Sequence, residues 1–247
     1  LKYRNNRKSY NRKRKRNYSN MNKLSHIAFI MDGNGRWGDK KKKGRNFGHL
    51  KGVETVKKIV KASMKLNVPI VTFYVFSSEN WKRPKKEKNY LFKLIKSYFL
   101  NEINSVIQEG IKINIFGNIK KFSPVLRSSL KRAVKFTANN KKIIVNLAIN
   151  YGSKDEIIKA IKKTKNKITI KEIEKKLFTK NMPHPDILIR TGGYQRLSNF
   201  LLWQLAYAEL FFLKKMWPDF NPRDLSRIIY KYKRIKRNYG NIWFQKI

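Results

Sequence analysis

The chain has 247 residues, 41% of them hydrophobic and 13% aromatic, which suffices for the core of one large α/β domain, and it contains no cysteine, which excludes a disulfide framework and a thiolate metal site. With 59 Lys and Arg against 15 Asp and Glu the formal net charge is +44, and this points to polyanionic partners: phosphorylated small molecules, anionic lipid or nucleic acid. No apolar run approaches a membrane span, and lysine, asparagine and isoleucine are used heavily throughout, so much of the charge reads as compositional bias on solvated faces.

Residues 1–20 carry nine Lys or Arg, no acid and almost no aliphatic side chain, too little apolar surface to order a segment. They read as a disordered basic tail, with Met21 as the expected start and 21–247 as a single domain. Residues 26–31 form an apolar run suited to a strand buried on both faces of a parallel sheet, and it ends at Asp32. Ligands gather at the carboxyl ends of such strands, so Asp32, Gly33, Asn34, Gly35 and Arg36 fall at an expected site. The glycines let backbone N–H groups turn toward an anion, Arg36 can grip phosphate oxygens, and Asp32 can hold a divalent cation. Gly33, Gly35 and Gly38 also spell a dinucleotide-type glycine pattern, with Glu54 at the distance of its ribose-binding acid. That reading ranks lower, because residues 36–43 suit a charged loop better than an immediate helix.

Residues 46–66 have helical apolar spacing, with Arg45 and His49 at the start, where a histidine can meet an anion or simply cap the helix. A second buried strand, 69–76, ends in Ser77, Ser78, Glu79, Asn80, Trp81 and Arg83, a second wall for the site, although Ser78 or Asn80 could merely cap the next helix. That helix is expected over 85–109 and carries a wide apolar stripe, core by default. Strands at 111–116, 142–149 and 186–189 alternate with helices at 124–138 and within 154–179, which predicts a mainly parallel sheet with right-handed crossovers. Arg190 and Arg196 flank a double glycine and make a second anion cradle, with Ser198 nearby. Glu209, at the start of a strand over 210–213, is an ion-pair partner or a second metal ligand.

The blocks HIAFIMDGNGRW, GRNFGH, FSSENWKRP and DILIRTGGYQRLSNFLLWQLAYAEL, followed by WPDF, resemble in order and spacing those of the cis-prenyltransferases, the undecaprenyl diphosphate synthases and their dehydrodolichyl diphosphate relatives. The resemblance spans residues 25–240. It implies a single-domain α/β fold with an apolar tunnel, in which isopentenyl diphosphate is added, with Mg²⁺ and cis geometry, to an allylic primer such as farnesyl diphosphate. The products would be long polyprenyl diphosphates such as undecaprenyl diphosphate, a lipid-carrier precursor for cell-wall glycans. A dehydrodolichyl-type enzyme for glycosylation is the alternative, and the absence of large insertions favours the bacterial type.

Carried over residue by residue, the resemblance makes Asp32 the acid that works with magnesium and Asn80 the proton-accepting position. Gly33, Asn34, Gly35, Arg36, Trp37, Arg45 and His49 would hold the allylic diphosphate; Ser77, Ser78 and Glu79 would give loop contacts, and Trp81 and Arg83 further substrate contacts. Arg190, Arg196, Leu197 and Ser198 would bind isopentenyl diphosphate, and Glu209 would complete the metal site. The resemblance also implies a cytoplasmic protein, at most peripheral at a membrane surface, and a homodimer, with a C-terminal Arg-x-Gly reaching the partner. Here that motif is displaced by one residue, at Arg237 to Gly240. Two other readings are a basic nucleic-acid-binding protein, for which no recognition-helix or stacking motif is present, and a non-catalytic scaffold subunit, which should have lost the intact Asp32 block.

Overall fold

A computed structural model describes residues 22–164 and 167–237. The expected basic tail, the start at Met21 and residues 238–240 lie outside the described residues. Six strands form one sheet, β1 (His26–Ile30), β2 (Ile70–Ser77), β3 (Ile111–Phe116), β4 (Ile143–Tyr151), β5 (Ile187–Arg190) and β6 (Glu209–Phe212), in the order β3-β4-β2-β1-β5-β6. Every ladder is parallel. Strand β1 is buried along its whole length, which is why its sequence does not alternate.

The sheet separates two cores. On one face Phe29 and Phe73 stack at 4.9 Å, with Trp217 and Phe220 packed edge-on against Phe29. On the other, Ala28 and Ile30 meet Phe200, Leu201 and Leu205. A buried polar chain runs along the sheet: His26 Nε2 lies 2.6 Å from Thr72 Oγ1, and Asn146 Nδ2 donates to the same hydroxyl at 2.9 Å.

Helices α1 (Asn34–Lys40), α2 (Gly44–Lys65), α3 (Lys85–Asn101), α4 (Ile103–Gln108), α5 (Pro124–Phe136), α6 (Ser153–Lys162), α7 (Ile170–Glu174) and α8 (Pro222–Lys233) flank the sheet. Four expectations change. The stretch expected as a charged loop contains α1, which begins directly after Gly33, whose φ of 105° turns the chain out of the β1 end. Glycine contacts hold α1 on α2: a Cβ at Gly48 would lie 1.9 Å from Asn34 O, and one at Gly38 2.2 Å from Gly44 O. The single helix expected over 85–109 breaks at Glu102, which lets Phe99 and Val106 both reach the core. The strand expected over 142–149 runs on through Asn150 to Tyr151. Helix α8 was not foreseen, although its capping box, Asn221 with Asp224, precedes the buried Leu225, Ile228, Ile229 and Tyr232.

Candidate active site

The carboxyl ends of β1, β2 and β5 converge on a pocket of about 360 Å³. Thirteen of the residues singled out from the sequence line it: Asp32, Gly33, Asn34, Gly35, Arg36, Arg45, His49, Ser77, Asn80, Arg83, Arg190, Arg196 and Ser198. Five of these are arginines and one is an acid, so the pocket is built for an anion of high charge.

Asp32 stands at its centre, accepting from Arg190 Nη2 at 2.8 Å and from Arg36 Nη2 at 3.3 Å. Arg190 is buried by its place at the end of β5 and also donates to Ser198 Oγ at 2.8 Å and to Arg196 O, while its buried Nε has no partner among the described residues. Arg36 is anchored on Gly192 O at 2.8 Å. Gly192 and Gly193, with φ of 87° and 86°, form the loop that carries Tyr194. Gly192 is favoured by its positive φ, and a Cβ there would also crowd the Asp32 backbone, 3.0 Å from its carbonyl carbon.

On the opposite wall a residue the sequence reading did not pick, Glu87 on α3, gathers three cationic or donor groups. Arg45 Nε donates to it at 3.1 Å, Arg83 Nη1 at 3.2 Å and His49 Nε2 at 3.1 Å. Burial works against the Glu87 charge, but the hydrogen bond and charge of Arg45, with Arg83, outweigh it and hold the carboxyl below the usual range. Burial pushes His49 down despite Glu87, so the ring is neutral and Nε2 carries the proton that the carboxylate accepts. Glu87 was passed over because it lies in a lysine-rich helical turn with no motif chemistry; its position one turn after Arg83 was the available signal.

Several expected contacts do not face the pocket. Trp37 donates to Asp219 Oδ1 at 2.8 Å and stacks on Phe47. Trp81 donates to Asn150 Oδ1 at 2.7 Å and packs among Phe76, Phe92 and Phe122, a structural role. Ser78 donates to Glu79 Oε2 at 3.1 Å, and Asn199 Nδ2 donates to Glu79 Oε1 at 2.8 Å, so this pair ties two loops at the rim. Leu197 packs against the second core. Glu209 lies at the other end of the sheet from this pocket. It pairs in register with Ile187, the first residue of β5, whereas Arg190 at the pocket pairs with Phe212. Parallel strands share their entry edge, so a residue opening β6 cannot meet one that follows β1. Glu209 instead lies 3.6 Å from Arg237 Nε.

Among the described residues no cluster of three potential metal ligands exists. Asp32 alone suits an ion such as Mg²⁺, which is commonly held by one or two carboxylates while substrate phosphates and water complete its shell.

Below the anion pocket lies an apolar cavity of about 110 Å³, lined among others by Val53, Val56, Leu94, Ile95 and Phe99, and sharing Met31, Asn34, His49, Val75 and Leu91 with the pocket above. Such an arrangement suits an amphipathic molecule with an anionic head and a greasy tail.

A family profile described as "Putative undecaprenyl diphosphate synthase" matches residues 30–240. The isoprenyl transferase of Clostridium perfringens is 43% identical over 227 residues, covering 88% of this chain and 90% of that protein. The isoprenyl transferase of Rickettsia typhi is 41% identical, covering 89% and 99%. Among solved structures, lavandulyl diphosphate synthase from Lavandula x intermedia in complex with dimethylallyl diphosphate superposes with a TM-score of 0.84 at 28% identity, covering 88% of this chain and 98% of that one. A probable undecaprenyl diphosphate synthase from Campylobacter jejuni gives 0.77 at 31% identity, covering 90% and 100%. The chain belongs to the undecaprenyl diphosphate synthase family and is a prenyltransferase.

Proposed function

We propose that the protein condenses isopentenyl diphosphate repeatedly onto an allylic diphosphate such as farnesyl diphosphate, with Mg²⁺, to give a long cis-polyprenyl diphosphate of the undecaprenyl type. The observation that carries this reading is the junction of a five-arginine pocket with an apolar cavity at the carboxyl edge of the sheet. Two cradles fit two diphosphates: Gly33 to Arg36 with Arg45, His49 and Arg83 for the allylic group, and Arg190, Arg196 and Ser198 for isopentenyl diphosphate.

Asp32 lies between the cradles and would hold the metal, whose charge, when bound, aids departure of the allylic diphosphate. Arg36 and the backbone N–H groups after Gly33 stabilise the same leaving group. The terminal alkene carbon of isopentenyl diphosphate bonds to the allylic C1, and its C2 then loses a proton. Asn80 Oδ1 accepts from Ser77 N at 3.1 Å and keeps a second lone pair for that proton; the departing diphosphate is the other acceptor in reach of the cradle. The lengthening chain runs into the apolar cavity as a tunnel. We place a homodimer contact at the edge strand β6, whose Leu210 is 43% exposed, and size-exclusion chromatography with light scattering checks it.

Purified protein incubated with farnesyl diphosphate, radiolabelled isopentenyl diphosphate and Mg²⁺ should give extractable polyprenyl products, and Asp32→Ala should lower turnover by about 10³-fold or more. An inert wild-type preparation that bound RNA tightly would replace this reading with the nucleic-acid one.

A further inference from the structure

Tyr194 has no place in the chemistry above, yet it stands at the meeting point of three guanidinium groups. Its ring centroid lies 4.1 Å from Arg196 Cζ, 4.7 Å from Arg36 Cζ and 5.8 Å from Arg190 Cζ. Arg36 belongs to the allylic cradle and the other two to the isopentenyl cradle. The loop that presents the ring is fixed to the sheet edge, since Gly192 N donates to Lys215 O at 2.8 Å and Gly193 N to Leu213 O at 2.9 Å. The ring lines the pocket and remains 42% exposed, so it is not a core residue recruited by packing.

Before substrate arrives, three positive groups around one ring repel one another, and Asp32 pairs with two of them, Arg36 and Arg190. The negative face of an aromatic ring attracts each cation without competing with a diphosphate for its N–H donors, as a carboxylate would. Resting on the two-diphosphate reading, we propose that Tyr194 is a positioning residue that holds Arg36 and Arg196 in register and so couples the two diphosphate sites, each diphosphate ordering, through the shared ring, an arginine that the other needs. The essential feature is the ring face; the hydroxyl is dispensable.

The coupling is measured as the factor by which a non-ionising allylic thiolodiphosphate tightens isopentenyl diphosphate, by calorimetry on the full chain with Mg²⁺; the same factor must appear in the reverse order of addition. Tyr194→Phe should match wild type. Tyr194→Leu and Tyr194→Ala should lose the coupling and weaken inorganic diphosphate by about tenfold, with the thermal midpoint little changed. Wild-type behaviour in the leucine and alanine variants overturns the proposal, and so does a phenylalanine variant as impaired as they are. Failure of wild type to bind inorganic diphosphate at all is a different result, which removes the two-diphosphate reading itself.

Discussion

Glu87 acts on the anion pocket from behind, as the common acceptor of Arg45, Arg83 and His49. Glu87→Gln keeps the shape and removes the charge, so the three donors should lose their shared orientation. The KM for the allylic diphosphate is expected to rise roughly tenfold with kcat changed much less, and steady-state kinetics at saturating isopentenyl diphosphate would read the split. His26, far from the pocket, governs a different property. Burial, only partly offset by the bond to Pro183 O and by Asp186, holds its pKa down to about 4 from the ordinary 6.5. The unfolded chain therefore binds a proton that the native ring does not. The resulting stability is complete above pH 6.5 and is lost as pH falls toward 4, by on the order of 3 kcal/mol. Urea midpoints should fall across that interval, and a flat profile would mean that the buried ring is not the neutral species. Of these two residues the sequence distinguished neither: Glu87 hides among lysines, and His26 reads as part of a strand, because burial and partners are properties of the folded neighbourhood.

Helix α1 is masked in the sequence by its charge, and Gly33, Gly35 and Gly38 read there as phosphate-loop or dinucleotide-type glycines. Their second role is to let α1 and α2 approach closely. Gly48→Ala would set a methyl 1.9 Å from Asn34 O, against backbone that cannot swing aside. A loss of at least about 2 kcal/mol is expected in urea unfolding, together with displacement of the Asp32 to Arg36 turn and loss of turnover. The dinucleotide alternative fails at this same scale, though not for the expected reason. A helix does follow the glycine turn, but Glu54 sits in the middle of α2, paired with Lys51 at 2.8 Å, and not at a strand end where a ribose would lie. Glu209 is the converse case. Its place at the start of a parallel strand was visible in the sequence, and sheet polarity was enough to set it at the edge away from Asp32.

Across the whole molecule, a further cavity of about 80 Å³ shares Val56, Tyr98 and Leu147 with the lining of the apolar cavity. Two ion pairs line that space, Lys57 with Glu102 at 2.7 Å and Lys61 with Glu109 at 2.9 Å, and Lys57 also lies 5.4 Å from the Tyr98 ring centroid. The Tyr98 ring lines both cavities, so Tyr98→Ala, which removes that bulk, should shift products toward longer chains on thin-layer chromatography of the dephosphorylated polyprenols; an unchanged ladder would mean that the tail does not pass this way. The net charge of +44 should draw anionic substrates in, so kcat/KM is expected to fall with ionic strength while kcat holds. The four sequence blocks were sufficient by themselves for the parallel α/β class and the family, because buried parallel strands impose local residue patterns and the spaced blocks carry the resemblance. Only the tertiary structure decided which of the named residues meet. It turned Trp37 and Trp81 outward from the pocket, set Glu209 at the other edge, and brought Glu87 and Tyr194 in, since contacts between residues tens of positions apart follow from helix approach and strand register, which no local pattern encodes.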